Sequence, residues 1–334
     1  MLALLLPVSL SLAQCARPKS PLRISYYYWQ TTIDWKTSDS QFLKETETDR
    51  LYLRLFDVNT EKGQAVPLAR LRVTRLPEQI EVVPVIYIRN EVIASLDPLK
   101  TQELSNNIIQ QTNALLPRGF PEIQVDCDWT HSTRDRYFRL LRMMRSDLPP
   151  NVFLSATIRL HQLKYRTQTG VPPVERGALM FYGTGQPSEP SERNSILDLN
   201  TAQSYLASLG EYPLPLDAAL PVYSWGVLFH GQKFRGILRD VTPEMLEEDL
   251  SRSGNVYRAR KPVRLRGMAL AAGDWIRLDS VDPEVSAQAL KMLLPGLRLD
   301  SRVILFHYHE GLTKYGSKKI LSIADGGRAL LEPR

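Results

Sequence analysis

The sequence has few cysteines and no glycine-rich nucleotide-binding motif. The first absence argues against disulfide bonds, and the second argues against a nucleotide cofactor. Only 2 of the 334 residues are cysteine, Cys15 in an apolar N-terminal run and Cys127 inside an apolar segment. We therefore expect no internal disulfide, and we expect Cys127 to be a buried, inert thiol. The sequence Gly-Thr-Gly at 183–185 lacks the rest of the dinucleotide-binding fingerprint. We accordingly expect no nucleotide and no other cofactor.

The basic residues are not concentrated enough to indicate a nucleic-acid-binding protein. The formal net charge is +6 and the pI is about 9.2. Lysine and arginine are scattered, and their densest cluster is RARKPVRLR at 258–266. A nucleic-acid-binding protein more often concentrates such residues in a recognisable module, and the sequence contains none. We expect these cations to lie on a solvated surface and expect no nucleic-acid partner.

The N-terminal segment predicts export. The run LALLLPVSLSLAQC has the length of a signal-peptide apolar region and is too short to span a bilayer as an ordinary helix. Leu12-Ala13-Gln14-Cys15 is similar to a bacterial lipobox, although Gln14 stands where a small residue is usual and no basic residue precedes the run. We predict a leader at 1–20 and a location in the periplasm or on the outer surface, with a lipid on Cys15 as the membrane anchor. The alternative is a merely apolar tail.

Short apolar runs alternate with amphipathic stretches along the rest of the chain. The runs are rich in β-branched and aromatic residues and are bounded by turn formers, which favours strands. Helices are predicted between many of them, and two open with Asp-Pro, at 97–98 and 282–283. The candidate strands are 22–29, 51–58, 80–88, 122–129, 152–160, 178–183, 218–226, 263–272 and 302–309.

This alternation of strands and helices predicts a parallel sheet. Nine candidate strands are one too many for an eight-stranded barrel, and the extra material lies at about 226–280. We therefore predict a single TIM-type (β/α)8 barrel over 21–334, with an insertion at about 226–280 before the last helix and strand. A doubly wound open sheet is the alternative.

Polar and aromatic side chains are concentrated where the candidate strands end. In a (β/α)8 barrel the functional residues lie at the C-terminal ends of the strands. Aromatic rings suit the apolar C–H faces of sugars, and carboxylate, arginine and histidine side chains can bind the hydroxyls. We therefore predict a polysaccharide or oligosaccharide site. Its predicted catalytic residues are Asp126, Asp128 and Glu310, and its predicted substrate-binding residues are Trp29, Asp57, Trp129, Arg159, Tyr182, Tyr223, Trp225 and His307.

Asp126 and Asp128 are the main catalytic candidates. Side chains two apart on a strand share a face, whereas Cys127 points away from them. Neighbouring carboxyl groups push each other's proton affinities apart, which can leave one protonated near neutral pH. Glycoside hydrolysis ordinarily needs two carboxyl groups, one as a proton donor and one as a base or nucleophile.

The segment VDCDWT at 125–130 resembles the fourth-strand signature of chitinase-type glycoside hydrolases, roughly Asp-x-Asp-x-Glu and often ending in Asp-Trp-Glu. Aligning the tryptophan places Thr130 at the position of that family's proton-donating glutamate. Aligning Gln124-x-Asp126-x-Asp128 instead places Asp128 there. The whole chain also resembles uncharacterised bacterial TIM-barrel lipoproteins that are similar to glycoside hydrolases. The resemblance implies an exported barrel that binds a glycan and hydrolyses it by carboxylate acid/base chemistry.

In this hypothesis Asp128 donates the proton or stabilises the transition state, and Asp126 tunes its pKa. Because strands four and eight face each other across a barrel, Glu310 is the expected second carboxyl group. The alternative for Glu310 is a solvent-facing loop acid.

Two alternatives concern the acids. The first is a structural role, in which Asp128 caps the next helix or the pair meets Arg54, Arg89 or Arg159. The second is a non-catalytic glycan-binding or assembly lipoprotein on a degenerate barrel, which is favoured because threonine stands at the donor position.

A third alternative is a metal-dependent hydrolase. His307 and His309 share a face of the last strand and, with Asp126, form a possible ligand set for zinc or another divalent ion. A lumen histidine with ordinary hydrogen bonds is the commoner case. We therefore rank metal binding second and predict no metal.

Overall fold

The computed structural model describes residues 22–61, 64–68, 70–239 and 241–328. The predicted leader at 1–20 and Cys15 lie outside these ranges, so export and lipidation stay predictions. Among the described residues, no helix combines the length and hydropathy needed to cross a bilayer.

Eight parallel strands close into a barrel, which confirms the predicted architecture. Consecutive strands are paired in chain order, and the eighth pairs with the first. Their apolar residues are nearly continuous because strands of a parallel barrel are buried on both faces. The strands are β1 (Arg23–Tyr28), β2 (Arg50–Glu61), β3 (Glu81–Ile88), β4 (Glu122–Asp126), β5 (Phe153–Arg159), β6 (Arg176–Met180), β7 (Leu216–Pro221) and β8 (Arg302–Phe306).

Helices connect most of the barrel strands. The two predicted Asp-Pro openings are confirmed: Asp97 accepts a hydrogen bond from the Lys100 N–H, and Asp282 accepts one from the Val285 N–H. These caps satisfy donors that have no partner within the helix. The helices are Thr37–Glu45, Asn90–Ala94, Pro98–Leu115, Arg134–Asp147, Leu160–Lys164, Arg166–Thr169, Leu199–Gln203, Pro243–Glu247, Pro283–Leu293, Glu310–Thr313 and Ser317–Arg328.

An antiparallel sheet is inserted between β7 and the helix Pro283–Leu293. The hairpin Val263–Leu265 and Met268–Leu270 shares an apolar core with this sheet. Elsewhere, Gln64–Leu68 pairs with the end of β2, and Thr32–Asp34 pairs with Arg72–Arg75. The five strands of the inserted sheet, in spatial order, are Lys233–Arg239, Ser224–His230, Asp274–Ser280, Val256–Arg258 and Ser251–Ser253.

The run 263–272 lies in the predicted insertion, where it forms the small hairpin Val263–Leu265 and Met268–Leu270. One candidate strand differs from the structure. The run 218–226, predicted as a single strand, joins the end of β7 to the start of the inserted strand Ser224–His230. This difference arises because continuous apolarity indicates burial and not the sheet in which a strand pairs.

Layers of side chains fill the lumen below its mouth. At the N-terminal end, ion pairs join Arg50 to Glu122 at 2.8 Å and Arg176 to Asp217 at 3.0 Å. An apolar layer that includes Tyr27 packs within the same lumen. Because these layers occupy the lower lumen, a ligand can approach the barrel interior at the C-terminal mouth.

Candidate functional site

A cavity of about 440 Å³ opens at the C-terminal ends of the barrel strands. Its volume is that of an ordinary small-ligand pocket. The predicted site residues that it brings together are Trp29, Asp126, Arg159, Tyr182, Tyr223, Trp225 and His307. Its other lining residues are Arg54, Tyr87, Met180, Gly183, Ser224, Arg239 and Phe306.

Aromatic rings from the ends of four barrel strands form one side of this mouth cavity. The Phe306 ring, at the end of β8, has its centroid 5.7 Å from that of Trp29, 5.4 Å from that of Tyr182 and 5.6 Å from that of Tyr223. Tilted and edge-on contacts of this kind are the preferred arrangement of aromatic pairs. The rings therefore form a preformed apolar surface.

Tyr182 adds a polar atom to this surface. Its hydroxyl is buried and has no hydrogen-bond partner among the residues that the structure describes. Burial raises the pKa of Tyr182 well above its ordinary value, although Arg159 opposes the rise. The phenol is therefore protonated at neutral pH. Because a buried hydroxyl without a partner costs free energy, this group is suited to bind a polar ligand atom.

Asp126 is the last residue of β4, and only 2% of its surface is exposed. The Thr157 hydroxyl donates a hydrogen bond to Asp126 Oδ1 at 2.6 Å, and Arg159 Nη2 lies 3.7 Å from the same atom. Burial raises the pKa of Asp126, and the Arg159 charge and the Thr157 hydrogen bond offset only part of that rise. Asp126 therefore holds a proton more readily than an ordinary aspartate.

Arg159, at the end of β5, joins the two predicted acids. Besides its approach to Asp126, its Nε atom donates a hydrogen bond to Asp128 Oδ1. The Asp128 side chain is 47% exposed at the rim. Burial lowers the pKa of Arg159, but the two carboxylates outweigh burial and hold the pKa above its ordinary value. Arg159 is one of the three arginines that the sequence offered as partners of the two acids. The contact lies beside an open cavity.

Asp57 lies near the mouth as the counterion of Arg54. The Arg54 Nε atom donates to Asp57 Oδ1 at 2.7 Å, and the guanidinium lies 5.4 Å from the ring centroid of Trp29. Arg54 lines the cavity, and Asp57 is not among the lining residues. Asp57 therefore orients the side chain of Arg54.

The inserted sheet forms another wall of the cavity. Trp225 lies opposite Arg239 on the neighbouring strand, and both residues line the cavity. Arg239 was not predicted because it lies inside the segment assigned to an insertion. Nothing in the local sequence distinguishes it from the other scattered arginines.

Other lining residues were not predicted, although they lie at or near the C-terminal ends of barrel strands, where functional residues are expected. Tyr87 lies near the end of β3, and Phe306 ends β8 directly before His307. Met180 ends β6, and Gly183 follows Tyr182. The position of a strand end indicates a region and not the individual side chains that face the cavity, so these residues were not separated from their neighbours.

Glu310 does not join the two aspartates. It begins the short helix Glu310–Thr313 and lines a separate cavity with Tyr308 and His309. Because β8 ends at Phe306, the chain has left the lumen before it reaches Glu310. The expected second carboxyl group is therefore not provided by this residue, which corrects the prediction.

Trp129 packs in the core instead of lining the cavity. It is fully buried, its Nε1 atom donates to the Thr169 carbonyl at 2.9 Å, and its ring stacks on Tyr137 with centroids 5.0 Å apart. Like the buried Cys127, it alternates with the acids and so faces away from the lumen. Its prediction as a substrate-binding residue is corrected accordingly. Thr130, the next residue, is exposed.

The two histidines that follow the last strand, His307 and His309, line two different cavities. His307 lines the mouth cavity and His309 lines the cavity of Glu310, although their ring centroids are 4.9 Å apart. Within the described part of the chain, no group of three or more His, Cys, Asp or Glu is arranged to hold a metal ion. The predicted set of His307, His309 and Asp126 is therefore not assembled as a metal site here.

Comparison with family models and with curated proteins finds no match. Among solved structures, the spore cortex-lytic enzyme SleL of Bacillus cereus has a TM-score of 0.57 and 16% identity, over 92% of this chain and 75% of that chain. A chitinase from Bacteroides thetaiotaomicron has a TM-score of 0.55 and 12% identity, over 94% and 97%. A chitinase from Chromobacterium violaceum has a TM-score of 0.53 and 11% identity, over 93% and 100%. This likeness shows a (β/α)8 barrel fold.

Proposed function

We propose that this protein is exported and binds a polysaccharide or oligosaccharide in the mouth cavity of its glycoside-hydrolase-like barrel. The observation that carries the proposal is the group of Trp29, Tyr182, Tyr223 and Phe306, packed together at the open end of the barrel beside Arg159. The similar structures named as chitinases and a cortex-lytic enzyme support a polysaccharide over other small ligands.

The chemistry of the cavity matches a sugar ring. One face of a pyranose presents C–H groups, which pack on aromatic rings, and its edge presents hydroxyls, which need hydrogen-bond partners. Trp29 and Phe306 provide apolar surface, and the Tyr182 hydroxyl and the Arg159 guanidinium provide donors. A pocket that combines apolar walls with a few fixed polar groups is the usual form of a selective ligand site.

Calorimetric titration with chitotetraose and a panel of other oligosaccharides tests the proposal. Replacing Tyr182→Phe removes the unpaired hydroxyl while keeping the ring, so we expect about tenfold weaker binding, the upper end of one neutral hydrogen bond. Tyr165→Phe is the matched control, because Tyr165 is 47% exposed and lies outside the cavity lining. Unchanged affinity in Tyr182→Phe, or no binding of any oligosaccharide, contradicts the proposed site.

Hydrolysis of the bound glycan is a second candidate function, favoured by the raised pKa of Asp126. A glycosidase needs a carboxyl group that is protonated near neutral pH and a second carboxylate nearby. Asp126 lines the cavity and retains its proton more readily than usual, whereas Asp128 is fixed by Arg159 at the rim. The proton donor in this scheme is therefore Asp126, with Asp128 as the second carboxylate, which reverses the roles expected from the sequence.

Release of reducing ends from each glycan that binds tests this second function. We expect Asp126→Asn to abolish turnover and to leave the affinity for the oligosaccharide within a few fold, because asparagine keeps the shape and cannot donate the acid proton. Wild-type protein that binds a glycan and never cleaves it rejects hydrolysis and leaves binding in place.

Export and anchoring through Cys15 belong to the same proposal. They are supported by the apolar run that ends in Leu-Ala-Gln-Cys. Mass spectrometry of protein expressed in a bacterial host, together with membrane fractionation, tests them. We expect a diacylglyceryl group on Cys15 and its loss in Cys15→Ser. Protein that keeps its N-terminal residues and stays in the cytosol contradicts the proposal.

A further inference from the structure

The wall of the cavity that belongs to the inserted sheet combines an aromatic ring with a cation. Ser224–His230 and Lys233–Arg239 are antiparallel neighbours, and Trp225 is directly opposite Arg239 in their register. Directly opposite residues of an antiparallel pair project their side chains from the same face, with Cβ atoms about 4.5–5.5 Å apart. Both residues line the mouth cavity. A sugar that stacks on Trp225 therefore brings its edge to Arg239.

Arg239 differs from the other two arginines of the cavity. Arg54 is paired with Asp57, and Arg159 is shared between Asp126 and Asp128. Among the residues that the structure describes, no carboxylate lies within ion-pair distance of Arg239, and its side chain is exposed. Arg239 therefore presents an exposed positive charge at the cavity wall.

Arg239 lies close to the aromatic surface of the cavity, and its backbone contacts a second arginine of the insertion. Burial raises the pKa of the Tyr223 phenol, and Arg239 is the largest influence that opposes the rise, which places its charge close to the aromatic surface. On the outer side, Arg266 Nη1 donates to the Arg239 carbonyl at 3.1 Å. Arg266 belongs to the basic segment 258–266, whose exposed cations include Arg260 and Arg264. Exposed basic side chains thus lie on the insertion, and one of them contacts the strand that carries Arg239.

We propose that the ligand of the mouth cavity is an anionic glycan, in which a carboxylate-bearing sugar stacks on Trp225 and pairs with Arg239. This inference rests on the proposed glycan-binding function and adds the chemical class of the glycan. The planar guanidinium donates two parallel hydrogen bonds to a carboxylate, and such charge-assisted bonds are about twice as strong as neutral ones. The exposed cations of the segment 258–266, one of which contacts the Arg239 carbonyl, favour a polymer with repeated negative charges.

A pair of probes that differ only in charge tests this inference. Hyaluronan tetrasaccharide carries carboxylates, and its methyl ester has the same rings and linkages without the charges; tetragalacturonate and its methyl ester form a second pair. For at least one pair we expect the wild-type protein to bind the acid at least about tenfold more tightly than the ester at low salt, because charge-assisted hydrogen bonds are lost on esterification. The difference should shrink as salt screens the exposed charges.

Arg239→Gln is expected to remove this preference, so that the variant binds the acid and the ester with similar affinity. Arg235→Gln is the matched control, since Arg235 is an exposed arginine on the same strand and is not part of the cavity lining. It should keep the preference. Both substitutions are on exposed side chains, and equal thermal midpoints verify that folding is intact.

The outcomes separate the two proposals. Equal affinity of the wild-type protein for acid and ester overturns the anionic class and leaves glycan binding standing. Equal loss of the preference in Arg239→Gln and Arg235→Gln overturns the assignment to Arg239, because it shows a diffuse charge effect. Binding of neither member of either pair, with no chitotetraose binding, overturns both the inference and the proposed function.

Discussion

Asp217 is buried at the N-terminal end of the barrel lumen, at the end opposite the mouth cavity. It accepts hydrogen bonds from Arg176 Nη1 at 3.0 Å and from the Arg302 N–H at 2.8 Å, and it is 1% exposed. Burial nevertheless raises its pKa to about 6, because Arg176 and the Arg302 N–H recover only part of the lost hydration. Folding therefore favours the protonated form of this carboxyl group.

The sign of the resulting pH dependence follows from linkage. An aspartate in the unfolded chain has a pKa of about 3.9, so between that value and about 6 the native protein binds more protons than the unfolded one. The associated stability is complete below the unfolded pKa and is lost as the pH rises through about 6, by roughly 3 kcal/mol at most.

Asp217→Asn removes this titration, because asparagine is neutral at every pH. We expect the free energy of unfolding of the variant, relative to the wild type, to increase by up to roughly 3 kcal/mol between pH 4 and pH 7. Urea unfolding at a series of pH values measures the difference. Asp300→Asn is the control, since Asp300 pairs with the same Arg176 but its side chain is 65% exposed. A difference for Asp217→Asn that does not change with pH contradicts the assignment.

At the level of single residues, the sequence predicted which side chains share a face better than it predicted their partners. The alternation of Gln124, Asp126 and Asp128 predicted that the two acids lie on one side, and both contact Arg159, Asp126 in the mouth cavity and Asp128 at its rim. Arg54, Arg89 and Arg159 were equally plausible counterions, because the choice depends on which strand is adjacent and in what register. Strands β3 and β5 both lie beside β4; Arg159, at the end of β5, meets the acids, whereas Arg89, which follows β3, pairs with Glu91.

A buried ion pair in the inserted sheet helps to attach this sheet to the loop after β6. Arg277 Nε donates to Asp279 Oδ1 at 2.7 Å, and the two side chains are 2% and 0% exposed. Asp279 also accepts a hydrogen bond from the Ser195 N–H at 3.0 Å, and Arg277 Nη1 donates to the Glu189 carbonyl at 2.6 Å. The pair therefore joins the strand Asp274–Ser280 to the preceding loop from both sides.

Asp279→Ala is expected to lower the free energy of unfolding by about 3–5 kcal/mol, because it leaves the buried Arg277 without its counterion. Glu247→Ala is the control within the same insertion, since it breaks the exposed pair with Arg252, whose side chains are 46% and 52% exposed. That change should cost less than about 1 kcal/mol. Equal and small losses of stability in the two variants, measured by urea unfolding, count against a structural role of the buried pair.

At the level of elements, periodicity and caps predicted the helix starts and the barrel strands, but not the point at which one run passes from the barrel to the inserted sheet. The Asp-Pro openings mark helix starts because the cap and the N1 proline act locally. The run 218–226 contains the end of β7 and the start of an antiparallel strand, and no residue type in it indicates that the chain changes sheets. The difference depends on long-range pairing, which local apolarity does not encode.

For the whole molecule, the order of strands and helices was sufficient to predict the barrel. The position of the mouth cavity, at the C-terminal ends of the strands, is a consequence of that fold. Trp29, Tyr182 and Tyr223 were found because a closed parallel barrel brings the C-terminal ends of all its strands together. Arg239 was not found, because the packing of an insertion against the mouth has no such rule. The complete cavity is a product of both parts of the chain.

Because the barrel and the inserted sheet both line the cavity, we expect a substitution in either part to weaken binding of the same ligand. A glycan at 100 times its dissociation constant stabilises the native protein by about 2.7 kcal/mol. At that same concentration, Trp225→Ala on the inserted sheet and Trp29→Ala on the barrel should each reduce the increment to about 1.4 kcal/mol or less, which corresponds to binding at least tenfold weaker.

Urea unfolding with and without the glycan measures this increment, whatever the stability of each variant alone. Phe234→Ala is the control, because Phe234 lies on the inserted sheet, is 38% exposed and does not line the cavity. It should keep the full increment of about 2.7 kcal/mol. If Trp29→Ala loses the increment and Trp225→Ala keeps it, the ligand contacts the barrel alone. In that case the inserted sheet, and Arg239 with it, has no part in binding.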